Sequence, residues 1–185
     1  LFTVIVGLPL GVLAYMKKPV RAVILWISDI LQTIPALALL GIIMVFLGAG
    51  KSTVIIGLVL YSLLPVVRNT YLGLSNIEPA VKEAADGMGM SRTYRLLHVE
   101  LPIAFPVIFT GIRIATGTSI GTAVFATFVG GGGLGSMIYR GIHIQNMKLI
   151  LSGTLSLMMM AILFDGIMGY IEKRLNRHRT NGGNA

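Results

Sequence analysis

Several windows of about 20 mostly apolar residues, parted by short polar junctions, run along this chain, and each matches the roughly 30 Å hydrocarbon core of a bilayer when wound as a helix. A chain built this way is committed to lipid before any motif is considered. Hydrophobic residues make up 55% of the 185 positions and charged residues 12%, with a mean hydropathy of +0.83, which places the sequence among all-α membrane proteins. Five passes are read: residues 1–16, 20–47, 53–74, 103–128 and 147–170. The second is too long for one straight span. Pro35 divides it into an interfacial helix over residues 20–31 and a crossing helix after Thr33. The first opens in apolar sequence without the charged flank of a signal peptide, so the natural N-terminus is expected upstream. With no internal repeat evident, residues 1–175 form one transmembrane domain and residues 176–185 a polar, frayed tail.

The formal charge of +8 could point to nucleic acid, but the cations gather at the ends of apolar runs, where they orient a membrane protein. Lys17, Lys18, Arg21, Arg68, Lys82, Arg92, Arg95, Lys173, Arg174, Arg177 and Arg179 fall on one side of five passes. Lys51, Arg140 and Lys148 fall on the other, with Arg113 inside a helix. The positive-inside rule therefore puts the polar insert at residues 76–101 and the C-terminus in the cytoplasm. The absence of cysteine removes disulfides and thiolate metal sites.

That insert reads as two short helices around a glycine corner. Pro79 suits a first turn, Gly87 and Gly89 end the helix, and Ser91 caps a second helix over residues 92–100 before Pro102 opens the fourth span. Ala84 and Ala85 let a partner approach the backbone, and Glu83 offers it a fixed charge. The string Glu83-Ala84-Ala85, Gly89, Val99, Leu101-Pro102 resembles the EAA loop of ABC importer permeases at every anchor, with Val99 in place of isoleucine. The resemblance implies that this loop is a coupling helix docked on an ATPase subunit.

Two strings look nucleotide-binding and fail on context. Gly48-Ala49-Gly50-Lys51-Ser52-Thr53 lacks the earlier glycine of a P-loop, where Val45 stands. Gly130, Gly132 and Gly135 match GxGxxG after a long apolar helix and not after a strand. Four consecutive glycines, Gly130, Gly131, Gly132 and Gly133, carry a large ordering cost, and irregular backbone at membrane depth survives only when buried or lining a water-filled path. They are candidates for a turn beside the translocation route, with a flexible outer connector as the alternative.

Ionisable residues within spans call for partners. Arg113 and Asp165 lie at matching depths and are candidates for an intramembrane ion pair. Gln32 and Pro35 sit at the break of the second pass, with Asp29 nearby, and Pro65 with Asn69 interrupts the third; all four are gate candidates or packing kinks. Trp26 and Tyr139 read as interfacial aromatics. Met158, Met159 and Met160 have no His or Cys near them, and His98, His143 and His178 form no ligand pattern, so no metal site is read. Nor does any nucleophile-base-acid arrangement appear, and no catalytic residue is assigned.

The TIPALALLG run, the EAA loop, the VGGGGLG run followed by Tyr139-Arg140-Gly141, and the span order look like the permease of an osmoprotectant importer for glycine betaine, carnitine or choline. The resemblance implies a type I, MetI-like permease fold of about five transmembrane helices in the cytoplasmic membrane. It also implies a second permease subunit in a homo- or heterodimer, ABC ATPase subunits that hold ATP and Mg, an extracytoplasmic solute-binding protein, and no cofactor in this chain. Alternating access follows as its mechanism. The alternatives are a permease for another small solute such as methionine, and a non-ABC channel.

Overall fold

The computed structural model describes residues 1–180, with side chains through position 174, and holds ten α-helices and no strand among the described residues. Helix α1, Phe2–Met16, ends at Lys17, which takes an extended conformation just before Pro19 in the first turn of α2, Lys18–Thr33. Helix α2 stops because the residue before a proline is pushed out of helical geometry. Ile34 (φ −65°, ψ 129°) and Pro35 turn the chain by 101° into α3, Ala36–Leu47.

The turn leaves α2 lying across the bundle. Arg21 stacks over Tyr71 at 5.0 Å while Asp29 pairs with Arg68 at 3.4 Å, so eight residues along α2 correspond to three residues along the helix it crosses. Val23, Trp26, Ile27 and Ile30 form an exposed apolar stripe on it, the pattern of a helix lying in a membrane interface.

The next span, Lys51–Ser75, is interrupted at Ser62 into α4, Lys51–Tyr61, and α5, Leu63–Ser75. Pro65 explains the interruption, since it has no N–H for the carbonyl of Tyr61 and its ring crowds that carbonyl. Helices α6, Pro79–Gly87, and α7, Arg92–Arg95, follow, and α7 runs without a break through a π-helical turn, Leu96–Glu100, into α8, Leu101–Thr122, and a 3-10 stretch, Ala123–Val129. The second arm of the polar insert is thus the first turns of a 38-residue helix, not a separate helix ahead of Pro102.

Helix α9, Leu134–His143, packs between the glycine run and α10, Met147–Thr180. No helix is expected here from the five passes, although Leu134, Met137, Ile138, Gly141 and Ile142 carry helical spacing. Helix α10 carries the backbone past position 176, where the polar tail was placed; the side chains of the tail and residues 181–185 lie outside the described residues. Three helices are long and apolar enough to cross a membrane, the α2–α3 pair adds a fourth if counted as one span, and α1 is a shorter apolar helix.

Helix α5 is the center of the molecule. Leu63, Leu64, Val66, Val67 and Leu74 are all buried, with α1 against one side and α8 against the other. Apolar side chains gain little by leaving lipid, so close backbone approach and van der Waals contact hold such helices together. A Cβ on Gly11 would lie 2.5 Å from Thr70 Cβ and 2.8 Å from the Val67 carbonyl oxygen; one on Gly111 would lie 2.6 Å from Asn69 Cβ and from the Pro65 carbonyl oxygen. At the C-terminal end of α5, Leu74, Ile77, Leu96, Ala104 and Ile108 form a buried cluster under the polar insert. The opposite end is closed by the Gly50 N–H, which donates to the Val129 carbonyl at 2.8 Å and joins the α3–α4 turn to the glycine run.

Replacing Gly11 with leucine is expected to force α1 off α5 and destabilise the protein by about 1–3 kcal/mol, the usual cost of overpacking. Gly41→Ala, where a Cβ meets nothing within 4 Å, serves as the control. Thermal unfolding in detergent should show a lowered transition for the first and an unchanged one for the second.

Candidate functional site

The insert at residues 76–101 is pinned to the ends of three spans. Lys82 donates to the Leu74 carbonyl at 3.2 Å at the C-terminal end of α5, and its ammonium lies 5.2 Å from the Tyr15 ring. Arg92 donates to the Met16 carbonyl at 3.1 Å, at the last turn of α1. Both cations therefore sit where helix carbonyls are unsatisfied and the helix dipole is negative. Arg95 binds both Asp86 of α6 and Glu100 at the head of α8, the latter at 2.7 Å.

Within this frame, Gly89 is dictated by geometry. The Met90 N–H donates to the Ala85 carbonyl and the Gly89 N–H to the Asp86 carbonyl, which is a Schellman closure of α6, and Gly89 takes the left-handed conformation (φ 74°) that closure requires. Ser91 then caps α7 by accepting from the Tyr94 N–H. Ala85 is buried against the bundle, whereas Glu83, Ala84 and Gly89 face outward, and Glu83 has no hydrogen bond or ion pair with the described residues. Leu101 is half-buried and Pro102 exposed where the elbow enters α8. The corner thus exposes a small-residue surface with the carboxylates of Glu78 and Glu83, neither of which has a side-chain partner among the described residues.

The glycine run lies at the other end. Gly130, Gly132 and Gly133 all have positive φ, and a Cβ on Gly131 would lie 2.6 Å from Val54 Cγ2. The Gly131 N–H donates to the Ala126 carbonyl at 2.7 Å, so the run is an ordered turn packed on α4. Gly132 and Gly133 line a cleft of about 300 Å³ with Ala123, Ala126, Leu157 and Met160.

The gate candidates sit apart from the run. Pro35 is exposed at the 101° bend, with Gln32 half-buried one turn before it. Asn69 donates to the Pro65 carbonyl at 2.8 Å and so satisfies a backbone group on α5 directly beneath the Gly111 contact.

Arg113 grips Asp165 with two bonds, from Nε at 2.7 Å and from the second guanidinium nitrogen at 2.8 Å. Its remaining nitrogen donates to Glu172 at 2.8 Å, and Glu172 also accepts from Thr110 at 2.7 Å. Glu172 and Thr110 were missed from the sequence, though Asp165 and Glu172 stand seven residues apart on one helical face and Thr110 and Arg113 three apart. A cavity of about 400 Å³ opens beside this cluster between α1, α8 and α10, lined by Thr3, Thr116, Ser119, Phe164 and Met168 among others. Among the described residues no group of His, Asp and Glu could hold a metal ion.

Residues 4–177 match the family described as binding-protein-dependent transport system inner membrane component. The chain is 44% identical to the carnitine transport permease protein OpuCD of Listeria monocytogenes, over 95% of this chain and 79% of that one. It is 43% identical to the glycine betaine/carnitine/choline transport system permease protein OpuCD of Bacillus subtilis, over 100% of this chain and 81% of that one. Among solved structures, the MetNI methionine ABC transporter in an inward-facing conformation superposes with a TM-score of 0.84 at 25% identity, covering 94% of this chain and 88% of that one.

Breaking the Arg113 cluster is expected to cost more than removing it. Arg113→Leu leaves the mostly buried Glu172 and the exposed Asp165 as unpaired carboxylates on an apolar helix, while Arg113→Leu with Asp165→Leu and Glu172→Gln leaves no unpaired charge. The yield of monodisperse protein after extraction should fall for the single variant and recover for the triple.

Proposed function

The chain belongs to the binding-protein-dependent inner-membrane component family, the permease subunits of ABC importers, and from that premise we propose that it carries osmoprotectants of the glycine betaine, carnitine and choline type through the cytoplasmic membrane. The permease performs no chemistry itself. ATP and Mg belong to partner ATPase subunits, a second permease subunit completes the pore, and an extracytoplasmic binding protein delivers the solute. The elbow and the C-terminus face the cytoplasm, which agrees with the gathering of Lys17, Lys18, Arg21, Lys82, Arg92 and Arg95 around the elbow end.

The observation that carries this reading is the exposed Glu83, unpaired among the described residues, on an elbow that Lys82 fastens to α5, Arg92 to α1 and Arg95 to the start of α8. A docking surface of that kind transmits a push to spans without bending. ATP-driven closure of the ATPases moves α6, the joined spans turn with it, and the pathway alternates between outward and inward access. The solute class is supported by the names of relatives above 40% identity, against 25% for the methionine system. A quaternary ammonium offers no hydrogen-bond donor, so its selection rests on aromatic faces of the kind a binding protein supplies.

Reconstitution with the ATPase and binding protein should give ATP-dependent uptake of labelled glycine betaine, competed by carnitine and choline and not by methionine. Competition by methionine alone would transfer the chain to another solute class. Glu83→Lys and Gly89→Val should insert normally yet lose ATPase co-purification and at least about tenfold of the uptake rate, equivalent to roughly 1.4 kcal/mol or more of docking free energy.

A further inference from the structure

A second charged group in the elbow faces inward and not toward a partner. Glu100 is only 2% exposed, among the most buried side chains of the protein, and its carboxylate accepts from Arg95 Nε at 2.7 Å. Arg95 is itself 15% exposed and reaches Asp86, which is 58% exposed, with another nitrogen of the same guanidinium. One cation therefore joins the last turn of α6 to the first residues of the long helix that becomes α8. A planar guanidinium suits this task because its nitrogens diverge in a fixed fork, which a lysine cannot reproduce.

The backbone explains why the two ends meet. Arg95 and Glu100 are five residues apart, and in an α-helix such residues point about 140° away from each other. Between them lies the π-helical turn Leu96–Glu100, whose i→i+5 pattern brings residues five apart toward one face. Wide turns of this type are local weak points of a helix. His98 stacks on Tyr94 at 4.0 Å and bonds its carbonyl at 3.1 Å, but the ion pairs at this turn are those of Arg95, which alone also reach α6 among the described residues.

We infer that Arg95, with Asp86 and Glu100, is the positioning strut that makes the elbow and α8 move as one body, so that displacement of α6 by the ATPase becomes displacement of the span and is not absorbed by flexing of the π turn. Glu83 meets the partner; Arg95 hands the motion on. This rests on the coupling role of the elbow, and it assigns the transmission step to residues outside the docking surface.

The test compares coupling with docking in the complete transporter, reconstituted in proteoliposomes with its ATPase and binding protein. Asp86→Asn cuts the α6 end of the strut at an exposed side chain. Arg95→Met with Glu100→Gln removes the inner link without leaving Glu100 as a lone buried charge. Both should insert and co-purify with the ATPase at normal ratios and hydrolyse ATP at near-normal rates. Solute imported per ATP hydrolysed should fall roughly tenfold in each, on the scale of losing one charge-assisted hydrogen bond. Asp86→Glu, which keeps the carboxylate, should restore the ratio.

An unchanged ratio in both variants would overturn the strut. So would loss of ATPase association in the Arg95/Glu100 variant, because neither residue is placed to touch a partner. In either case Glu83→Lys run in parallel reports separately on docking, so failure of the strut and failure of the coupling role give different patterns.

Discussion

Close backbone contact along α5 is the constraint on which the rest of this protein depends. In lipid, apolar side chains gain little by meeting one another, and what fixes a helix is how nearly its surface can approach its neighbours. The absence of a side chain at Gly11 lets α1 settle on Val67 and Thr70, and the absence of one at Gly111 lets α8 settle on Pro65 and Asn69. Helix α5 is thereby held from two sides over most of its length. Its C-terminal end, the C-terminal end of α1 and the N-terminal end of α8 consequently keep fixed positions, and the elbow is built on those three points.

The elbow illustrates how charge is used when the surrounding spans offer few polar groups. Lys82 and Arg92 answer helix carbonyls that have no partner within their own helices, while Arg95 neutralises a carboxylate sealed off from water. Each cation has one end of its work inside the bundle. Glu83, by contrast, has no side-chain partner among the described residues. The corner thus divides its charges between those that fasten it to the spans and the carboxylates of Glu78 and Glu83, which face outward.

Much of this was legible in the residues themselves. Pro35 announced the bend, Pro79 the start of α6, Ser91 the cap of α7 and Gly89 the closure of α6, because each encodes a local backbone preference that needs no tertiary information. The fusion of α7 with α8 was obscured by Pro102, which reads as the first turn of a new helix, and the π turn was not legible because widening by one residue leaves no local signature. The reach of Arg113 to Glu172 depends on the rotation of α10 against α8, which is set by packing at contacts such as Gly169 beside the guanidinium. Helix α9 carried a readable pattern and was obscured by the glycines that precede it.

The bend between α2 and α3 has a consequence for the surrounding membrane. Helix α3 has 12 residues and so stands about 18 Å tall, whereas the α4–α5 span has 25 residues and stands about 37 Å if straight. With α2 laid sideways, the flank at α3 offers acyl chains little more than half the thickness of an unperturbed hydrocarbon layer. Wherever that flank borders lipid, the neighbouring tails must shorten or tilt, and a change in acyl-chain length is felt first at the α2–α3 corner.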